Sequence, residues 1–122
     1  MATVAESHLV KASAIRVPGS AHKKRLIANM VRGKKANEAM ITLKFMPQAA
    51  AKDVAKVVAT AIANAENNFG MNGDDLFIKS IMINDAPALK RRRFASRGRS
   101  VLRLKRYSHI HVVVTEQEGK VA

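Results

Sequence analysis

The residues with the clearest chemical potential are nine basic side chains in one acid-free segment between Asp85 and Glu116. They are Lys90, Arg91, Arg92, Arg93, Arg97, Arg99, Arg103, Lys105 and Arg106. Because such a segment repels itself, it predicts a strongly anionic partner. Arginine dominates the middle of the segment, and its planar, forked donors match phosphate oxygens and can stack on bases. Charge alone does not choose between nucleic acid and membrane, so the preference for arginine is informative.

Other reactive side chains form no recognisable catalytic or metal site. His109 and His111 share one face of a predicted strand, but no neighbouring Cys, Asp or Glu completes a metal site, so a polar strand face is the better interpretation. Ser96 stands among arginines without a base visible in the sequence, and no glycine-rich phosphate loop of a standard pattern occurs. The sequence therefore predicts a protein that is not an enzyme, with no metal and no cofactor.

The basic segment lies between two strand-like runs, 76–83 and 110–114, which are rich in β-branched and aromatic residues. The simplest connection is an antiparallel ribbon that turns near 96–98, where Gly98 supplies a permissive backbone. Each arm then holds about a dozen residues, which reach on the order of 40 Å. The alternative is a disordered basic loop that merely tethers the two strands.

Whole-chain composition is consistent with an anionic partner. The 122 residues include 22 Lys plus Arg and 9 Asp plus Glu, for a net charge of +13, and no cysteine. No apolar run is long enough to span a membrane, and residues 1–6 resemble neither a signal peptide nor an import presequence. We expect a cytoplasmic protein with a single domain over 1–122, whose globular body comprises 8–84 and 108–115 and whose extended basic hairpin comprises 85–107.

The first half of the body is predicted as a strand followed by a helix. The strand covers about 8–17 and ends at Pro18-Gly19, and Ser20 is a suitable N-cap for a helix that runs to about Arg32. Helical spacing predicts one inward apolar face, made of Leu26, Ile27, Met30 and Val31. It predicts an opposite polar and basic face, made of His22, Arg25, Asn29 and Arg32.

Two further helices are predicted before the basic segment. A short one covers about 36–44, with Ala39, Met40 and Leu43 facing inward. Pro47 suits the first turn of a longer helix that continues to about Asn68 and ends at Gly70. Its inward stripe is Ala50, Ala51, Val54, Val57, Val58, Ala61, Ile62 and Ala65, with Lys52 and Lys56 on the opposite side.

Several separated motifs occur together in this chain. They are the run Thr60-Ala61-Ile62-Ala63-Asn64-Ala65-Glu66-Asn67-Asn68, Val31-Arg32-Gly33-Lys34-Lys35, Ala39 with Leu43-Lys44-Phe45, Pro87-Ala88-Leu89-Lys90-Arg91, Arg97-Gly98-Arg99, and Ser108-His109-Ile110 with Val112-Val113-Val114. In order and spacing they resemble the bacterial-type family of ribosomal large-subunit protein twenty-two, the universal family uL22. The resemblance covers nearly all of residues 8–115. Near the hairpin tip, where family members often have proline, this chain has Phe94 and Ala95.

The resemblance implies an α+β fold, with three helices packed on a small three-stranded antiparallel sheet and a long protruding β-hairpin. It also implies a structural constituent of the large ribosomal subunit that supports subunit assembly and translation. In this family the body sits near the mouth of the peptide exit tunnel, and the hairpin threads through rRNA to line the tunnel. The expected partners are large-subunit rRNA, neighbouring large-subunit proteins and, at the tip, the nascent polypeptide.

Basic and amide side chains are the candidate contacts. The expected rRNA-binding residues are Arg16, His22, Lys23, Lys24, Arg25, Arg32, Lys34, Lys35, Asn64, Asn67, Asn68, Lys90, Arg91, Arg92, Arg93, Arg97, Arg99, Arg103, Lys105, Arg106 and His109. The expected tunnel-lining tip consists of Arg92, Arg93, Phe94, Ala95, Ser96 and Arg97. Asn68 has a second interpretation as a helix cap, since Asn is favoured at helix ends.

Two functions of other classes remain as alternatives. A free nucleic-acid-binding regulator or nucleoid-type protein could lay a basic β-ribbon in a DNA groove. A cationic membrane-surface protein would need apolar residues segregated from the arginines, which the basic segment lacks. Neither a membrane nor a small-molecule substrate is expected as a partner.

Overall fold

A computed structural model describes residues 9–116 as three strands and three helices. In chain order these are β1 (Leu9–Pro18), α1 (Ala21–Val31), α2 (Ala36–Lys44), α3 (Ala49–Phe69), β2 (Leu76–Phe94) and β3 (Ser100–Glu116). The strands form one antiparallel sheet in the order β1-β3-β2. The predicted α+β architecture is confirmed, and His8, the predicted start of β1, lies outside the described residues.

Local sequence signals explain most element boundaries. The Ser20 hydroxyl accepts a hydrogen bond from the His22 backbone N–H, as expected of an N-cap. Helix α3 ends where Gly70 adopts a left-handed conformation with φ of 63°, which glycine tolerates without strain. Pro47 was predicted in the first turn of α3, but this is wrong, because Gln48 is the N-cap and the helix begins at Ala49.

The core lies between one face of the sheet and the helices. The stripe predicted for α3 is confirmed, with Ala51, Val54 and Val58 among its buried members. Alternate strand residues such as Val112 and Ile81 are buried opposite the helices. No helix in the described part of the chain is both long and apolar enough to cross a bilayer.

The inward face of α1 differs from the predicted one. Leu26 and Met30 are 56% and 51% exposed, so their predicted core positions are wrong. Ile27 and Val31 are buried as predicted, but the buried face continues through Lys24 and Ala28 rather than through the two exposed residues. Polar His22 and Arg25 lie on the exposed side, as expected.

Candidate nucleic-acid interface

The acid-free segment folds as the outer part of a two-stranded ribbon. Strand β1 pairs with β3 only as far as Pro18 opposite Tyr107. Beyond that point β2 and β3 continue alone, from Leu89 opposite Lys105 to Phe94 opposite Ser100. Every side chain from residue 90 to residue 106 is exposed. The basic residues of both arms are therefore exposed to a partner, and the segment is described as the predicted antiparallel ribbon rather than as an irregular loop.

The pairing register distributes positive charge over both faces of the ribbon. Directly opposite residues of an antiparallel pair share a face, and successive residues along a strand alternate faces. Hence one face carries Arg91, Arg93, Arg103 and Lys105. The other face carries Lys90 and Arg92 with the apolar side chains of Phe94, Leu102 and Leu104. Because neither face is purely apolar, the ribbon suits an environment that is anionic on both sides.

The ribbon contains an unfavourable pairing that a bound polyanion would relieve. Arg91 stands directly opposite Arg103, and like charges at such positions destabilise a β-ladder. The nearest acid, Asp85, lies at the root of the ribbon, where its Oδ1 is 4.0 Å from Nη2 of Arg25. Both of these side chains are at least half exposed, so the pair contributes little. The ribbon charge is thus uncompensated within the described residues.

The tip is a tight turn close to the predicted position. Ser96–Gly98 forms a single 3-10 turn, and the Ala95 N–H donates to the Arg99 carbonyl at 2.7 Å. Arg97 and Gly98 both have positive φ, of 59° and 72°. This geometry brings the predicted tip residues together at the far end of the ribbon: Arg92, Arg93, Phe94, Ala95, Ser96 and Arg97.

Lys24 was expected to bind rRNA, and the structure gives it a different role. Its side chain is 1% exposed, and its Nζ donates to the Val17 and Pro18 carbonyls and to Ser108 Oγ, at 3.2, 2.7 and 2.6 Å. With its three donors used inside the protein, Lys24 cannot contact RNA. It ties α1 to the ends of β1 and β3, next to the point where the ribbon leaves the sheet.

Lys24→Met is expected to lower the free energy of unfolding by about 2 to 3 kcal/mol, because it leaves two carbonyls and a buried hydroxyl without their donor. Urea denaturation of the purified protein measures this. The exposed neighbouring substitution Lys23→Met is the matched control and should change stability by less than about 0.5 kcal/mol. A Lys24→Met protein as stable as the wild type would contradict this prediction. It would mean that the free-energy cost of burying the ammonium equals the stabilisation from its three hydrogen bonds.

The titration of Lys24 makes the free energy of unfolding depend on pH, which the same urea denaturation can measure. Burial lowers the pKa of Lys24, and the charge of Asp53 partly opposes this shift. The unfolded chain, with the ordinary lysine pKa, therefore holds this proton more tightly. The Lys24 contribution to stability rises as the pH increases from the lowered pKa toward the ordinary one. In the Lys24→Met variant, this increase of stability with pH should be absent.

Arg25 and Arg32 attach α1 to the edge of β2. Arg25 Nε donates to the Ile83 carbonyl at 3.1 Å, and Arg32 Nη2 donates to the Ile81 carbonyl at 2.7 Å. Each guanidinium has five donors in total, so donors remain for phosphate. These bonds restrict the two side chains on the exposed side of the helix, which also presents His22 and Lys23.

The loop after α1 presents two further lysines. The Gly33 N–H donates to the Ile78 carbonyl at 3.1 Å, and the Ile78 N–H donates to the Lys34 carbonyl at 2.9 Å. These bonds fix the loop along the β2 edge, while the side chains of Lys34 and Lys35 stay exposed. The sequence predicted these lysines as contacts but gave no indication that their backbone is paired.

The three asparagines of α3 differ in their surroundings. Asn64 is half-buried, and its Nδ2 donates to the Lys11 carbonyl at 3.3 Å, which joins α3 to β1. Asn67 and Asn68 are exposed in the last turn. The capping interpretation of Asn68 is wrong, because this residue lies inside the helix and Gly70 forms the cap.

Arg16 and His109 meet on the sheet face that the helices do not cover. The His109 Nδ1 accepts a hydrogen bond from the Arg16 N–H at 3.0 Å, so Nε2 is the nitrogen that remains to donate to a partner. The Arg16 guanidinium lies 4.9 Å from the centroid of the Tyr107 ring, a cation–π arrangement. His111 Nδ1 is hydrogen bonded to Ser13 Oγ at 2.8 Å.

Sequence reasoning missed two components of this region. The Tyr107 ring was not among the expected site residues, because its contact with Arg16 depends on a register shift in β1 between Ala14 and Val17. The buried role of Lys24 had a usable signal, since this residue shares the helical spacing of Ile27, Ala28 and Val31.

Comparison with known proteins identifies the family. A family model described as "Ribosomal protein L22p/L17e" matches residues 12–115. A "Large ribosomal subunit protein uL22" of Zymomonas mobilis is 48% identical over 107 residues, covering 88% of this chain and 85% of the relative. The protein of the same name from Pediococcus pentosaceus is 43% identical over 120 residues, covering 98% of this chain and 100% of the relative. The chain therefore belongs to the uL22 family of large ribosomal subunit proteins.

Proposed function

We propose that this protein is a structural, rRNA-binding constituent of the large ribosomal subunit in the cytoplasm, with no enzymatic activity. The observation that carries the proposal is the exposed two-stranded ribbon with basic side chains on both faces and Arg91 opposite Arg103. A polyanion that surrounds the ribbon relieves this repulsion, and threaded rRNA is such an environment. Phosphate contacts of this kind position a protein without reading a base sequence.

In this proposal the two parts of the chain have different tasks. The body, 8–84 and 108–115, lies near the mouth of the peptide exit tunnel and contacts rRNA and neighbouring large-subunit proteins. The hairpin, 85–107, threads through rRNA, and its tip at 92–97 lines the tunnel beside the nascent polypeptide. The protein thereby supports subunit assembly and translation.

The proposed RNA contacts combine the exposed residues of both parts. On the body the exposed members are Arg16, His22, Lys23, Arg25, Arg32, Lys34, Lys35, Asn67 and Asn68, and His109 and Asn64 are half-buried members. On the hairpin they are Lys90, Arg91, Arg92, Arg93, Arg97, Arg99, Arg103, Lys105 and Arg106. Lys24 is removed from the set because its donors are used internally.

Sedimentation tests this function against the regulator alternative. A tagged copy of the chain is expected to sediment with the large subunit and to remain there through a high-salt wash, because a threaded arm is held by shape as well as by charge. Quantitative mass spectrometry of the washed particles measures its occupancy. A soluble dimer that is retained on duplex DNA and is absent from large subunits would overturn the proposal.

A further inference from the structure

Helices α2 and α3 border an apolar groove that uses no residue of the ribbon. Its apolar lining comprises Met40, Ile41, Leu43, Met46 and Ala55, and the cavity measures about 410 Å³. That volume lies within the range of pockets that hold small ligands, which is enough for the apolar side chains of a short docked segment. The groove exists because α2 turns Ala39 and Leu43 toward the core and leaves its next apolar residues half-covered or exposed.

Two large apolar side chains near the end of α2 are exposed. Ile41 is 59% exposed, and Phe45, which caps the end of α2, is 77% exposed. Scattered single apolar residues are normal on a surface, but exposed apolar side chains that line a groove indicate an interaction site. Within the described chain, nothing covers these two side chains.

The rim of the groove favours an anionic occupant. Lys44 ends α2 and Lys52 lies in the first turns of α3; both line the groove and both are exposed. Neither lysine forms an ion pair among the described residues. Carboxylates on an occupant would therefore find two free ammonium groups beside the apolar surface.

The lining distinguishes protein from RNA as the occupant. RNA-binding surfaces combine cations with planar side chains that stack on bases, and arginine is their most versatile member. This lining has no arginine and no aromatic ring, and is made of methionine, aliphatic side chains and alanine. Methionine and aliphatic side chains pack against the apolar side chains of a peptide, and methionine adapts to irregular shapes.

We infer that the groove between α2 and α3 docks an acidic segment of another protein, which inserts aliphatic side chains between Met40 and Ala55 and directs carboxylates to Lys44 and Lys52. This protein contact goes beyond RNA binding by the ribbon and uses different residues. It does not require the ribbon to be threaded through RNA. Loss of one interaction therefore leaves the other measurable.

Site-specific photocross-linking in intact cells tests the inference. A benzophenone amino acid replaces Ile41, whose exposure lets the larger side chain be accommodated, and mass spectrometry identifies the cross-linked peptides. The expected product joins position 41 to a protein segment that contains both aliphatic and acidic residues. A product with rRNA alone, or no product, would overturn the inference.

Charge reversal provides the matched control. Lys44→Glu with Lys52→Glu is expected to reduce the cross-link yield about fivefold or more, because two rim attractions become repulsions. Lys56→Glu with Lys79→Glu makes the same change of charge at exposed positions outside the groove and should leave the yield unchanged. Equal yields from the two double variants would contradict the inference. Occupancy of washed large subunits, measured in parallel, reports on the RNA-binding function independently.

Discussion

Val58→Asp is expected to prevent the body from folding. Val58 is 0% exposed in the middle of α3, within the core between this helix and the sheet. A carboxylate at this position would lose its hydration without gaining a partner, which costs several kcal/mol even when the group becomes protonated. That cost is comparable to the whole stability of a small domain, about 5 kcal/mol or more. Circular dichroism and the loss of a cooperative unfolding transition measure the effect.

Ala59→Asp is the matched control, because it introduces the same side chain at the adjacent, exposed position of the same helix. It should cost less than about 1 kcal/mol, mainly through helix propensity. A Val58→Asp protein that unfolds cooperatively near the wild-type midpoint would contradict the packing of α3 against the sheet. The difference between the two variants reports mainly the burial of the carboxylate, because both introduce the same charge and helix propensity contributes less than about 1 kcal/mol.

Element positions were largely predictable because local residues determine them. Ser20 supplies its hydroxyl to the first turn of α1, and Gly70 supplies the left-handed residue that ends α3. The predicted bounds of α2 match the observed ones, Ala36–Lys44. Each of these signals acts within a few residues along the chain, so no knowledge of the tertiary structure was needed.

The buried face of α1 was not predictable by the same route. Helical spacing allows two neighbouring stripes, and the more apolar one includes Leu26 and Met30. The protein instead buries the stripe that contains Lys24, because its ammonium finds Ser108 Oγ and two carbonyls at the end of β1. Ser108 is 84 residues away in sequence, so only the folded chain brings this acceptor to the lysine.

The ribbon was predictable as an arm but not in its register. Charge and flanking strand patterns indicated an antiparallel ribbon with a turn near Gly98, and the pairing confirms it. The register shifts between Ala86 and Leu89, where Pro87 has no N–H to donate to the ladder. A shift of one residue exchanges the faces of all later side chains, so sequence alone could not group the arginines by face.

Replacing Arg91, Arg92 and Arg93 together with alanine is expected to weaken rRNA binding by about two orders of magnitude at 0.1 M salt. Each phosphate contact contributes a slope of roughly 0.7 to 0.9 to the dependence of log affinity on log salt, and three contacts are removed. Binding of the purified protein to large-subunit rRNA, measured over a series of salt concentrations, gives both the affinity and the slope. The matched control replaces Lys44, Lys52 and Lys56 with alanine. This variant removes the same charge from the body and should change the slope much less.

The pairing of β2 with β3 allows the loss of rRNA affinity to be assigned to each face of the ribbon. Arg91 and Arg93 lie on one face and Arg92 on the other, so Arg91→Ala with Arg93→Ala tests one side and Arg92→Ala tests the opposite side. If rRNA surrounds the ribbon, the slope should fall by roughly two contacts in the first variant and by one in the second. A face whose variant leaves the slope unchanged points into open space, as expected of a tip that borders the tunnel. An unchanged slope in both variants would contradict the threading of the ribbon through RNA, because its uncompensated charge would then have no partner on either side.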